Sequence, residues 1–237
     1  WSITCGNKNV VVAVVDNGFD STHPELNGRL LETYNVLTRK AKVNPVLINN
    51  DVSSHGTQVA AIIAGNRNNG KGLCGIAPKC RLMLVQVADD SMTGSIGNTA
   101  LIDCIKYSIK HGADVVNISI GQRASQFEKS LSESDQLNYI SYSYKLEEEI
   151  WRKIFKMAEA RKCILVLSAG NDDVISGIDP QRRFKGTIMV SALDRNLSKA
   201  SFSNYGVYPQ LDREYSTVSA PGVDIYNAFV CEKYGYS

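Results

Sequence analysis

Long apolar runs are missing from this sequence: the longest, Val10 to Val15 and Val59 to Ala64, hold six residues each, whereas a membrane-spanning helix needs roughly 20. No transmembrane helix is expected. An excess of one charge is missing too, since 26 Lys and Arg against 24 Asp and Glu leave +2, and no basic block is long enough to follow a phosphate backbone. Nucleic acid is not an expected partner. None of the six cysteines stands in C-x-x-C spacing, which argues against zinc. Cys104 and Cys163, inside apolar stretches, read as buried thiols. The opening at Trp1 has no initiator Met, charged n-region or apolar h-region, so any export signal or pro-segment is expected to lie outside these 237 residues. What is present, 43% hydrophobic and 21% charged residues, suits a globular chain with a sizeable core.

Continuous β-branched runs recur at Val10 to Val15, Leu82 to Val87, Asp114 to Ile120, Cys163 to Leu167 and Thr187 to Val190, as expected of strands buried on both faces. Between them, Val59 to Ile63, Ile96 to Ile109 and Leu146 to Ala160 carry apolar residues at helical spacing. This alternation predicts an α/β fold: a doubly wound, mostly parallel sheet with helices on both faces, in a single domain over 1–237. One stretch breaks the pattern. Gln122 to Lys145 is rich in Ser, Gln, Glu and Tyr and reads as a long insert, either functional or a mobile surface loop.

In such a sheet the ligand crevice lies outside the carboxyl ends of the strands. The first run leads into Asp16-Asn17-Gly18, the third carries Asn117 and Ser119 at its end, and the fourth leads to Ser168-Ala169-Gly170-Asn171. His55 stands just before Val59 to Ala64, behind Ser53 and Ser54, either of which can cap that helix and place His55 in its first turn. The helix dipole there favours a neutral imidazole, the form a general base needs. A carboxylate at the adjoining strand end, Asp16, would bond one ring nitrogen and leave the other for a nucleophile. A nucleotide-binding turn would place glycines after the first strand; Asp16 stands there instead and would repel phosphate.

In this order the motifs resemble the subtilases, the subtilisin-like serine proteases. Val14-Val15-Asp16-Asn17-Gly18-Phe19-Asp20-Ser21-Thr22-His23-Pro24-Glu25-Leu26 is similar to the family's Asp motif and His55-Gly56-Thr57-Gln58-Val59-Ala60-Ala61 to its His motif. Ser168-Ala169-Gly170-Asn171 resembles the oxyanion motif, and Ser219-Ala220-Pro221-Gly222 the A-P-G before the nucleophile. The resemblance implies a serine endopeptidase in which Asp16 orients His55, His55 is the general base and Asn171 donates to the oxyanion. It also implies an extended peptide or protein substrate against Gly94-Ser95-Ile96 and Ser119-Ile120-Gly121, with Ser168-Ala169-Gly170 as the other wall of a narrow, uncharged specificity pocket. Asp51 resembles the acid lining the neighbouring subsite. A pro-segment or inhibitor is an implied partner, and export to the cell surface, periplasm or medium the implied location. No cofactor is required for the chemistry. A structural calcium is implied at the loop Asn66 to Gly72 through Asn68 and Asn69, against which stand Arg67, Lys71 and the lack of a carboxylate in the loop.

The nucleophile is the gap. No G-T-S-x-[AS] motif occurs, and Lys233 to Ser237 is similar to the approach to it, so the reactive Ser is expected beyond residue 237. A cleaved polypeptide, or a relative that has lost its Ser and binds extended peptides without cutting them, are the alternatives. His23 and His111 are read as structural.

Overall fold

The computed structural model describes all residues except 49, 50, 54, 71, 89–96, 185, 207–215, 230–234 and 237. Its elements in chain order are β1 (Val11–Asp16), β2 (Leu30–Asn35), β3 (Leu47–Ile48), β4 (Asp51–Val52), α1 (His55–Ala64), β5 (Arg81–Gln86), α2 (Asn98–Lys110), β6 (Val115–Ile118), α3 (Gln126–Ser130), α4 (Glu133–Tyr142), α5 (Lys145–Ala160), β7 (Ile164–Ser168), β8 (Thr187–Leu193), β9 (Ser216–Pro221), β10 (Ala228–Phe229) and β11 (Gly235–Tyr236). They fall into two compact units, Trp1–Asn117 with Tyr226–Ser237, and Ile118–Ile225.

In the first unit the strands run in the order β2-β5-β1-β6, with β5 parallel to both β1 and β2. Valines and leucines alternate between the two faces of these strands. Val12, Val14, Leu82 and Leu84 meet Ala60, Ala61 and Ala64 of α1 in one buried cluster. Ala13, Val15, Met83 and Val85, all fully buried, are left for the opposite face, where α2 contacts β1 and β5. The small alanine stripe of α1 lets its backbone come close to the sheet. α2 ends as its sequence suggests: His111 is the C-cap, Gly112 follows at φ +84°, and His111 stacks on Tyr107 with Nδ1 2.9 Å from Glu32 Oε1. His23, fully buried, accepts a hydrogen bond from Glu25 N. Both histidines are structural.

The second unit carries β7-β8-β9, parallel in both pairs. α5 lies against β7 with Trp151, Ile154, Phe155 and Ala158 buried at helical spacing. Residues 122–145 are not an irregular loop. A capping box joins Ser125 and Glu128 at the start of α3, and Ser132 caps α4. Ile140 of α4 packs with Val174, Ile175 and Ile178. Arg183, fully buried, donates to Ile140 O, Ser143 O and Ser143 Oγ, and to Gly177 O and Ile178 O, and pairs with Glu148 Oε2 at 3.4 Å. The insert is therefore part of the core of its unit. Its apolar residues are sparse along the chain, which hid this.

Candidate active site

Three strands of the first unit end on polar residues in register: Asp16 of β1 is opposite Gln86 of β5, which is opposite Asn35 of β2. All three are buried. Gln86 Oε1 accepts from Asn44 N and its Nε2 donates to Ala88 O, while Asn35 Nδ2 donates to Ala88 O. These bonds fix the loops around the ends of the strands. Gln86 and Asn35 escape sequence reading because nothing in their local pattern distinguishes them from ordinary strand ends.

His55 opens α1, and its Nδ1 lies 2.8 Å from both carboxylate oxygens of Asp16. The Asp16 side chain is wholly buried, whereas that of His55 is 47% exposed. Asn17 N donates to Asp16 Oδ1 at 2.8 Å, so the carboxylate is held from its own strand end. A β-carbon on Gly56 would meet Gly18 O, lie 2.8 Å from Phe19 and 3.0 Å from Asp16 Cβ; only glycine lets the helix start come this close to the strand end. Thr57, buried, accepts from Asp20 N and ties the two motifs again. The hydrogen bond to Asp16 raises the His55 pKa above its ordinary 6.5, outweighing desolvation. The carboxylate thus makes the imidazole more basic, against the pull of the helix N-terminus toward the neutral form. An imidazole oriented at Nδ1 by a buried carboxylate, with the rest of the ring open, is built to take a proton at Nε2.

The second unit holds the Ser168-Ala169-Gly170-Asn171 turn at the end of β7. Gly170 has φ +109°, and a β-carbon there would overlap the Asn204 amide, so glycine is required. Asn204, buried, donates its N–H to Gly170 O at 2.9 Å and accepts from Asp172 N at 2.8 Å and Val174 N at 3.3 Å. Asn171 itself is exposed, an amide carried on a wired turn. Lys129 of α3 pairs with Asp172 at 2.6 Å and Ala124 N donates to it, which latches the insert to the residue beside Asn171. Burial pushes the Asp172 carboxyl up, but Lys129, the Ala124 N–H and the nearby charge of Arg123 outweigh it and keep it below the ordinary range.

The chain belongs to the subtilase family. The family's profile matches residues 7–236. A thermophilic serine proteinase of Bacillus sp. (strain AK1) is 31% identical over 236 residues, all of this chain and 49% of that protein. Subtilisin E of Bacillus subtilis (strain 168) is 31% identical over 231 residues, 96% of this chain and 50% of that protein. The chain thus spans about half the length of these curated relatives. The crystal structure of fervidolysin from Fervidobacterium pennivorans, a keratinolytic enzyme related to subtilisin, superimposes with a TM-score of 0.69 at 28% identity, over 99% of this chain and 31% of that one. The α/β fold expected from the periodicity is the subtilisin fold.

In this subtilase, the other expected site residues are placed as follows. Ser119, Ile120 and Gly121 follow β6, and Gly121 stands against a cluster of Asp179, Gln181 and Arg182 that sequence reading missed. A buried ion pair, Arg182 with Asp179, stands beside Gly121. Asp51 lies in β4, paired with Ile48; its side chain, like Gly94, Ser95 and Ile96, lies outside the described residues. Ser219 Oγ is 2.7 Å from Ser191 Oγ between β9 and β8. In the loop 66–72, Asn69 Nδ2 donates to Glu25 Oε2, Leu73 N donates to Glu25 Oε1, and Asn66 Nδ2 donates to Pro24 O and Asn27 O. Arg67 stands alongside. The Glu25 carboxylate beside this loop is thus already engaged by N–H donors, whereas Ca²⁺ takes about 6–8 oxygen ligands. No group of three or more His, Cys, Asp or Glu able to hold a metal occurs among the described residues. Cys104 and Cys163 are buried as expected, and no described helix is long and apolar enough to cross a membrane.

Proposed function

We propose that this chain supplies the acid–base and oxyanion parts of a serine endopeptidase. The observation that carries the reading is the 2.8 Å contact of His55 Nδ1 with both oxygens of a fully buried Asp16, on a half-exposed ring. In the proposed reaction His55 takes the proton of a serine hydroxyl as that oxygen attacks the peptide carbonyl, and returns it to the leaving amine. Asp16 keeps the proton on Nδ1 and stabilises the imidazolium. Asn171 donates to the oxyanion from a turn already ordered, so little reorganisation is needed when charge develops. The serine is expected in the G-T-S-x-[AS] motif, which the 237 residues do not contain.

The substrate is proposed to be an extended peptide or protein, its main chain paired along Ser119 to Gly121. A pro-segment or inhibitor would occupy the same edge, and family resemblance supports export from the cytoplasm. The test is hydrolysis of internally quenched peptides by the full-length protein. Cleavage within the peptide, abolished by His55→Ala, is expected. Peptide binding without cleavage by wild type would overturn the proposal.

A further inference from the structure

The space beside the scissile bond can be located within the second unit alone. If the peptide runs along Ser119 to Gly121 and its reacting carbonyl is held by Asn171, the side chain on the acyl side enters between Gly121 and Gly170. That space is already filled. Arg182, 4% exposed, donates from Nε to Ser168 O at 2.6 Å. Its Cζ lies 3.6 Å from where a β-carbon on Gly170 would stand, and its Nη2 2.5 Å from where one on Gly121 would stand. One guanidinium therefore bridges the two walls.

Asp179 holds it there. Asp179 Oδ2 accepts from Arg182 Nη1 at 2.5 Å, from Gln181 Nε2 at 2.7 Å and from Gln122 N at 3.1 Å, while Oδ1 accepts from Gln181 N at 3.0 Å. Both members of the pair are buried, so a substrate side chain that displaced either would strand a desolvated charge. We propose that Arg182 and Asp179 are specificity-determining residues that close the pocket, and that the substrates are peptides with Gly, Ala or Ser on the acyl side of the cleaved bond. This rests on the endopeptidase reading above.

The test is a cleavage-site profile of the full-length protein on a peptide library, alongside labelling by a fluorophosphonate. Wild type is expected to favour Ala over Phe or Leu by about tenfold or more in kcat/KM. Arg182→Gly, and the paired Asp179→Asn, Arg182→Gly variant that leaves no stranded charge, are expected to move the Phe-to-Ala ratio at least about tenfold toward Phe. Wild-type cleavage after Phe, Leu or Arg as readily as after Ala would overturn the inference, whether or not the variants fold. A protein that labels yet cleaves so refutes only the closed pocket. One that neither labels nor cleaves refutes the endopeptidase reading and this inference with it.

Discussion

Replacing Arg183 by Met removes a wholly buried guanidinium that serves four backbone carbonyls, Ser143 Oγ and Glu148. Two effects set the magnitude. Leaving buried acceptors without a donor costs about 1 kcal/mol or more each, and breaking a buried ion pair from one side costs about 3–5 kcal/mol. Glu148 keeps Arg152 at 3.0 Å and Lys145 at 3.5 Å, both partly exposed, so its charge is not stranded and the ion-pair cost falls to the lower end. Met restores most of the volume. The four carbonyls alone set the expected loss at about 4 kcal/mol or more, a large share of the roughly 5–15 kcal/mol that holds a domain folded. At about 2–4 °C per kcal/mol for a chain of this size, Tm should drop by at least about 8–16 °C. The assay is urea unfolding with a thermal melt, on Arg183→Met, Glu148→Gln and the double variant. A coupling between the two sites of at least about 0.5 kcal/mol is expected for residues in contact. A loss under about 1 kcal/mol for Arg183→Met would refute the reasoning, because it would mean that the carbonyls around Arg183 find other donors at no cost.

The remaining predictions concern the site. The raised His55 pKa places the acid limb of kcat/KM above pH 6.5, and activity is lost as pH falls through it because the base must be neutral; Asp16→Asn should move the limb down, and an unmoved limb in histidine NMR titrations would contradict the pairing. The same shift makes the His55–Asp16 contribution to stability fully present below pH 6.5 and lost as pH rises through the folded pKa. Gly56→Ala forces a β-carbon against Gly18 O and Phe19, with an expected cost of about 1–3 kcal/mol and a loss of activity larger than that of Gly70→Ala, where nothing lies within 4 Å. Asn171→Ala should lower kcat by about 10²–10³, a magnitude taken from the oxyanion asparagine of subtilisin, with KM little changed. Ser125→Ala removes the α3 capping box and should cost about 1 kcal/mol, read in a thermal melt.

Where strands are apolar on both faces, the sequence reveals them within a residue or two: the runs Val10 to Val15 and Leu82 to Val87 are β1 and β5, each displaced by one residue. β2 and β9 do not announce themselves. LLETYN and STVSAP carry too many polar residues to read as buried strands, and their place is set by pairing with β5 and β8. Asp16 and His55 were legible because their chemistry sits in local motifs. Arg182, Asp179 and Arg183 were not, since a run of two arginines ordinarily faces water, and only the folded chain shows which partners allow their burial. The helices of the insert carried one overlooked signal, Ser125 followed by Glu128 and Ser132 by Asp135, each at capping spacing.

The most direct measurement is the intact mass of the full-length protein after exposure to a fluorophosphonate, for wild type and for His55→Ala. One phosphonyl adduct on wild type, mapped to a serine in a G-T-S-x-[AS] segment and absent from His55→Ala, is the predicted result. Wild type without an adduct, or an adduct that forms as fast on His55→Ala, would contradict the assignment of His55 as the base that activates a serine.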